Sequence, residues 1–339
     1  MNTHRRATHQ SGLTLVEMLV ALTIGLVVLT GVVGVLIANR QTYRTSEALA
    51  RMQENARFSF EILGRSIRAA GGNPCGAYKV ANVLNNRSSA WWADWSNAIR
   101  GFEGGNADHD SQFPQATGSG PAARIAGTDA LITLTGSLDT GLPIIDHNPS
   151  AAQLKINTNA HGLKDGDIVI ACDTQQSAIF QITNASPSNN VIVHNTGTGS
   201  PGNCSKYLGY PTPPNCGAPG PNNDPPPYSF ESRGYLNRLS AHAWYIGNNP
   251  RGTRSLYRIN LSGSSTQIEE VTPDVYDLQL DYLAQGSNSY VNASSITDWN
   301  QVIAVRLEIT TQDPFVRDNN GNPLTRKWYT IFRARNMQP

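Results

Sequence analysis

The chain has 339 residues, 39% of them hydrophobic and 15% charged, enough to bury a sizeable core, while 30 Gly and 20 Pro make it rich in turns. Lys plus Arg number 26 against 25 Asp plus Glu, a formal net charge of +1. That balance lacks the dense basic field that nucleic acid binding draws on, so no nucleic acid partner is predicted.

Apolar residues concentrate near the start. From Met18 to Ala38 no residue is charged across 21 positions, about 31 Å of helix against a hydrocarbon core of roughly 30 Å. One membrane crossing is predicted. His4, Arg5 and Arg6 precede it, which keeps the amino terminus cytoplasmic and exports everything beyond Arg40. Gly25, Gly31 and Gly34 interrupt the run, and each costs up to about 1 kcal/mol of helix propensity relative to Ala. They point either to local softening or to close packing.

An ordinary secretory signal is cut after its apolar stretch. Here the order is reversed: in Gln10-Ser11-Gly12-Leu13-Thr14-Leu15-Val16-Glu17 a lone Gly joins a short polar leader to the apolar run, and a carboxylate lies five residues in. This arrangement resembles the prepilin signal of type IV pilins and type II secretion pseudopilins. The resemblance implies that a prepilin peptidase cuts between Gly12 and Leu13 and methylates the new amino group of Leu13. It also implies that Glu17 pairs with the free amino terminus of a neighbouring subunit during assembly. An ionised side chain inside a membrane helix costs on the order of 3 kcal/mol and is normally retained for function, which fits that role. Leu13 stands where major pilins usually carry Phe, while Leu is familiar in minor pilins.

Helical periodicity continues beyond the apolar run. Leu49, Met52, Ala56, Leu63, Ile67 and Ala70 form one stripe, with Glu47 and Arg51, and Glu61 and Arg65, at the favourable i, i+4 spacing. Gly71, Gly72 and Pro74 end the helix. The expected organisation is a leader at 1–12, a membrane or filament-core helix at 13–38, an amphipathic helix at 39–72 and a β-rich head at 73–339.

Gln53-Glu54-Asn55-Ala56-Arg57-Phe58 and Arg65-Ser66-Ile67-Arg68-Ala69-Ala70-Gly71-Gly72, followed by Cys75, resemble the minor pilin subfamily called PilW. Similar phrases follow at 127–132 (Gly-Thr-Asp-Ala-Leu-Ile), 164–170, 180–183, 256–258, 275–282 and 302–309, before Arg335-Asn336. Independently of that resemblance, Val275, Leu278, Leu280 and Tyr282, and likewise Val305, Leu307 and Ile309, alternate with polar residues as half-buried strands do. Asn319-Asn320-Gly321-Asn322 reads as a hairpin turn between a strand ending near Thr311 and one from Arg326 to Ala334. An antiparallel sheet packed on the apolar helix stripe is therefore expected: an α+β, type IV pilin-like fold with a long N-terminal helix and a β-sheet headgroup.

Residues 197–228 are nearly all turn formers, with 8 prolines among the 18 residues from Tyr210 to Pro227, and read as a loop, an otherwise floppy excursion that a local disulfide between Cys204 and Cys216 would pin. Cys75, Cys172, Cys204 and Cys216 all lie in the exported part, where two disulfides are favoured with three possible connectivities. Loop closure favours Cys204 with Cys216, leaving Cys75 to meet Cys172, without excluding the other two.

No cofactor or metal is expected. None of the cysteines has ligand spacing, Asp108-His109-Asp110 reads as a solvated loop, and no G-x-S-x-G, H-E-x-x-H or phosphate-loop motif occurs. Trp91, Trp92 and Trp95 form the conspicuous aromatic cluster, a candidate anchor for a protein partner or a sugar, with packing against the first strand as the favoured reading. The sequence thus reads as a non-enzymatic minor pilin that helps to start type IV pilus assembly and lies at or near the tip. Its implied partners are other minor pilins, the major pilin, the prepilin peptidase, the assembly platform and a large tip adhesin. Its implied location is the inner membrane before assembly and the pilus tip afterwards. The competing readings are a J-type pseudopilin of a type II secretion system and a membrane-anchored adhesin.

Overall fold

The structure, a computed structural model, describes residues 14–136, 141–197, 199–230, 234–318 and 320–336. Helix α1 runs from Leu15 to Ala69, and the chain divides into two compact units between Arg51 and Met52.

The first unit is the apolar half of α1. Each of the sixteen large apolar side chains from Leu15 to Ile37 is at least 51% exposed, so the helix is apolar on every side. Its polar groups are satisfied locally: the Thr23 hydroxyl donates to the Val20 carbonyl at 2.9 Å and the Thr30 hydroxyl to Leu26 at 2.7 Å. A Cβ added at Gly25, Gly31 or Gly34 would meet nothing within 4 Å, so no close contact among the described residues requires these glycines. Glu47 and Arg51 pair at 3.0 Å.

The second unit begins with the amphipathic half of α1. Met52, Ala56, Leu63, Ile67 and Ala70 are buried, as is Ser59. Gly71 takes φ +71°, the left-handed conformation that stops a helix, and donates its N–H to the Leu134 carbonyl at 2.8 Å. After α1 come β1 (Val80–Asn82), β2 (Ile99–Phe102), helix α2 (Ala107–Gln112), β3 (Ala130–Gly136), β4 (Leu142–Asn148) and β5 (Gln153–Ile156). Next are β6 (Ile168–Cys172), β7 (Ser177–Gln181), β8 (Asn184–Ala185), β9 (Val191–Val193) and β10 (Tyr235–Asn248). The chain closes with β11 (Arg254–Ser262), β12 (Ser265–Pro273), β13 (Val275–Ala284), β14 (Val302–Arg317) and β15 (Pro323–Arg333).

Strand β10 organises the head. Its first residues pair with β6 and β4, and from Leu239 onward it pairs with β3 on one side and, from His242, with β11 on the other. Strands β13, β14 and β15 form a separate antiparallel sheet. Its apolar face, Val275, Leu278, Leu280, Val305, Leu307 and Ile309, shares one core with Leu63, Ile67 and Ala70 of α1. Close approach fixes the fit: a Cβ on Gly64 would lie 2.5 Å from the Phe332 ring, and the Trp244 indole N–H donates to the Ser66 hydroxyl at 3.2 Å. The helix-on-sheet expectation is realised here.

The sheets depart from the sequence reading in two respects. One pairing, β1 with β7, is parallel, which the separation of about 95 residues between them permits. The hairpin strands are longer than alternation indicates. The register shifts between Gln312 and Arg317, and the Asp313 carboxylate accepts from the Phe315 and Val316 amides, so β14 continues past a segment whose alternation is broken. The Pro-rich segment is a loop, as expected, closed by the Cys204–Cys216 bridge and held by further contacts. Arg87 donates to the Pro213 and Pro214 carbonyls, the Gln176 side chain bonds both Leu208 and Tyr210, and Leu208 and Phe230 are buried.

A histidine pair is sealed into the core formed around β4 to β9. His147 Nδ1 accepts the Phe230 amide N–H, so its Nε2 carries the proton and donates to His194 Nε2 at 3.1 Å. Burial lowers His147 to about 4, and burial together with His147 lowers His194 to about 3. Because both values lie below the unfolded value of about 6.5, the unfolded chain takes up protons that the folded chain refuses as pH falls, and stability is lost from about pH 6.5 down to about 4. Asp129, raised by burial to about 7, acts in the opposite sense, so the pair is isolated by comparison with a variant. Between pH 6.5 and 4.5 the wild-type head is expected to lose roughly 4 kcal/mol more than His147→Gln/His194→Gln. Thermal unfolding across pH checks this, and parallel pH profiles would contradict it.

Candidate functional site

The start of α1 is a capping box. Thr14 occupies the N-cap and Glu17 the third helical position. The Glu17 amide donates to the Thr14 hydroxyl at 3.3 Å, and Glu17 Oε2 accepts from the Thr14 amide at 3.0 Å and the Thr14 hydroxyl at 2.9 Å. The first-turn amides of a helix lack intrahelical partners and carry partial positive charge, so a carboxylate is stabilised here by both geometry and dipole. A Glu in an otherwise uncharged apolar run is thereby held at the very end of the helix. Its neighbours Gly12 and Leu13 lie outside the described residues. Thr14 was not singled out from sequence, although Thr-x-x-Glu before an apolar run carries the signature.

Of the aromatic cluster, Trp92 is buried in the core with Phe102, Phe113 and Tyr245, while Trp91 and Trp95 are half-buried and pack against it. The three indoles do not form one exposed patch. Cys75 and Cys172 are bridged with their Cα atoms 5.8 Å apart, tying the segment after α1 to β6, and Cys204 and Cys216 are bridged at 5.5 Å.

Asp108-His109-Asp110 is not a solvated loop. It forms α2, capped by the Asn106 side chain, and Asp110 pairs at 2.9 Å with the fully buried Arg124. Arg124 also donates to the Thr128 carbonyl at 2.7 Å and lies over the Phe113 ring. His109 Nδ1 accepts the Glu103 amide N–H at 2.8 Å. Near the last hairpin, the Asp318 carboxylate accepts the Asn320 and Asn322 amides, a turn cap rather than a cation loop. Among the described residues no group of three or more His, Cys, Asp or Glu side chains could hold a metal.

The phrase Gly127-Thr128-Asp129 has a structural reason. Gly127 takes φ +79°, and Asp129 spreads its carboxylate between the Gly104 and Leu280 amides at 2.8 Å each, joining β13 to the loop ahead of α2. The phrases at 275–282 and 302–309 are β13 and β14, which carry the core under α1.

Comparison with known families gives two matches. The prokaryotic N-terminal methylation motif matches residues 8–33. The type IV pilus-assembly protein W family, PilW, matches residues 243–336. The chain is thus similar to PilW over its last strands and to type IV pilins over its amino-terminal segment. No curated protein and no solved structure matches it. The PilW match opens at Ala243, inside β10, and closes just beyond β15, so it spans Trp244 and the whole β13–β15 sheet. The family pattern of this PilW-like chain is therefore one part of the head that grips α1. The methylation motif spans the capping box and most of the apolar run. Together with a helix apolar enough to cross a membrane, these matches support membrane anchoring and association with type IV pilus proteins.

If the capping box holds Glu17, Thr14→Ala is expected to weaken the first turn by about 1 kcal/mol. In full-length protein in lipid nanodiscs, that reads as roughly fivefold faster hydrogen exchange at the Glu17 amide, with Thr14→Ser restoring protection. Equal exchange in wild type and Thr14→Ala would contradict the cap.

Proposed function

We propose that this PilW-like pilin is a non-enzymatic minor pilin that helps to initiate type IV pilus assembly and sits at or near the tip. It is cleaved by prepilin peptidase between Gly12 and Leu13 and methylated at Leu13. The observation that carries this reading is the first half of α1, a helix apolar on every side with one carboxylate at its start. Such a surface is stable in lipid before assembly, or among the like helices of neighbouring subunits afterwards. Cleavage removes Arg5 and Arg6 and leaves an amino group one residue before the capping box. Glu17 is then the carboxylate that meets the amino terminus of an adjacent subunit, and the charge pair fixes axial register.

Size supports a terminal position. A head of more than 250 residues crowds its neighbours if repeated along every turn of a filament, whereas one copy at the end does not. The partners are the other minor pilins, the major pilin and the assembly platform, with a large tip adhesin above them. The PilW match, rather than the methylation motif that pseudopilins share, favours the pilus over a secretion system.

Glu17→Ala makes the helix more apolar, so membrane insertion and cleavage are expected to persist. Removing one member of a desolvated pair costs about 3–5 kcal/mol, enough to block incorporation at a low-copy initiation complex. Immunoblots of sheared pili and membranes are expected to show cleaved Glu17→Ala protein retained in the membrane, with few surface pili. Normal recovery in the pilus fraction with normal piliation would overturn the role of Glu17.

A further inference from the structure

We propose that the head carries a binding site for a neutral glycan, in a groove between the tryptophan-bearing loop and the Pro-rich segment. The groove encloses about 520 Å³, within the roughly 300–1,000 Å³ of small-ligand sites. Tyr78, Trp95 and Tyr210 contribute aromatic rings to its lining, with Asn82, Arg87 and Asp94 between them. Tyr78 is 66% and Tyr210 46% exposed, so both are open to solvent.

The walls are fixed before any ligand arrives. Trp92 anchors the tryptophan loop in the core, and the Asn82 side chain donates to the Ala93 carbonyl at 2.8 Å. Arg87 ties that loop to the Pro-rich segment through the Pro213 and Pro214 carbonyls, at 3.1 and 2.8 Å. The Cys204–Cys216 bridge closes the Pro-rich segment on itself. A preformed site spends little of its binding energy on ordering.

Charge and hydrogen bonding select the ligand class. Arg87 directs its guanidinium to backbone carbonyls, and both oxygens of Asp94 already accept, from Ser96 at 2.6 Å and Asn97 at 2.7 Å. The two opposite charges cancel across the groove, so neither an anion nor a cation is favoured. A peptide strand is disfavoured because the outer edge of β1 is closed: the Asn82 amide donates to the Thr212 hydroxyl at 2.9 Å. What remains is a neutral ligand with apolar faces and a hydroxyl rim. A pyranose fits, its C–H face against Tyr or Trp and its hydroxyls on carboxylate and amide oxygens that retain unused lone pairs.

The test uses full-length protein in lipid nanodiscs, which avoids glycoside detergents. The labelled protein is applied to an array of neutral hexose and N-acetylhexosamine oligosaccharides, and the best binder is titrated by calorimetry. Retention of at least one neutral glycan is expected, with affinity at least tenfold weaker in Tyr78→Ala and in Tyr210→Ala. Trp91→Ala, in an adjoining groove that shares Ser88 and Asp94 but none of the three aromatic rings, is expected to stay within twofold of wild type. Both tyrosines are exposed enough that their removal is expected to leave the melting temperature unchanged. The proposal is overturned if no neutral glycan is retained, if the groove variants bind as wild type does, or if only charged glycans or peptides bind.

Discussion

The constraint on which the molecule rests is the apolar surface of the first half of α1. Sixteen large apolar side chains between Leu15 and Ile37 stand more than half exposed, and at about 0.8 kcal/mol per CH₂ such a surface does not persist in water. It demands either a lipid environment or a ring of similar helices. A single carboxylate interrupts it, and the capping box places that carboxylate at the helix end, where the interior is closest to polar surroundings. Under the proposed function, such a helix is stable in a membrane and its carboxylate is the group used in assembly.

The amphipathic half of α1 answers a different need. Its stripe is narrow, and the β13–β15 sheet covers it with one apolar face. Gly64 lets Phe332 approach the helix backbone, Ser66 receives the Trp244 indole N–H, and Asn55 donates to the Pro273 carbonyl. These contacts come from strands distant in sequence, and they are the region that the PilW family pattern spans. The residues from 73 to 242 lie outside that pattern and hold the disulfides, the histidine pair and most of the groove lining. Both parts hold the spine: Ile99 and Leu131 join the core around Leu63 and Ile67, and Leu134 receives the Gly71 N–H at the helix end.

The features legible in the sequence are those set by local periodicity. The length of α1, its stop at Gly71, the alternation in β13 and β14 and the turn at Gly321 follow from rules that act within a few residues. Long-range pairing is what the sequence conceals. Asp108-His109-Asp110 sits among turn formers and becomes helical because Asn106 caps it and Arg124 needs Asp110 as a partner. The β1–β7 pairing joins residues almost a hundred positions apart, and His147 meets His194 only after β4, β5 and β9 align. Tyr78 and Tyr210 carry no motif at all. Thr14 is the exception, since the Thr-x-x-Glu spacing is itself a local capping signature.

The most direct test of the account is the amino terminus of the chain recovered from sheared pili, read by mass spectrometry of its first peptide. The account predicts a chain that begins at Leu13 and carries one extra methyl group on its α-amine. A chain that retains residues 1–12, or that begins beyond the apolar run, would contradict it.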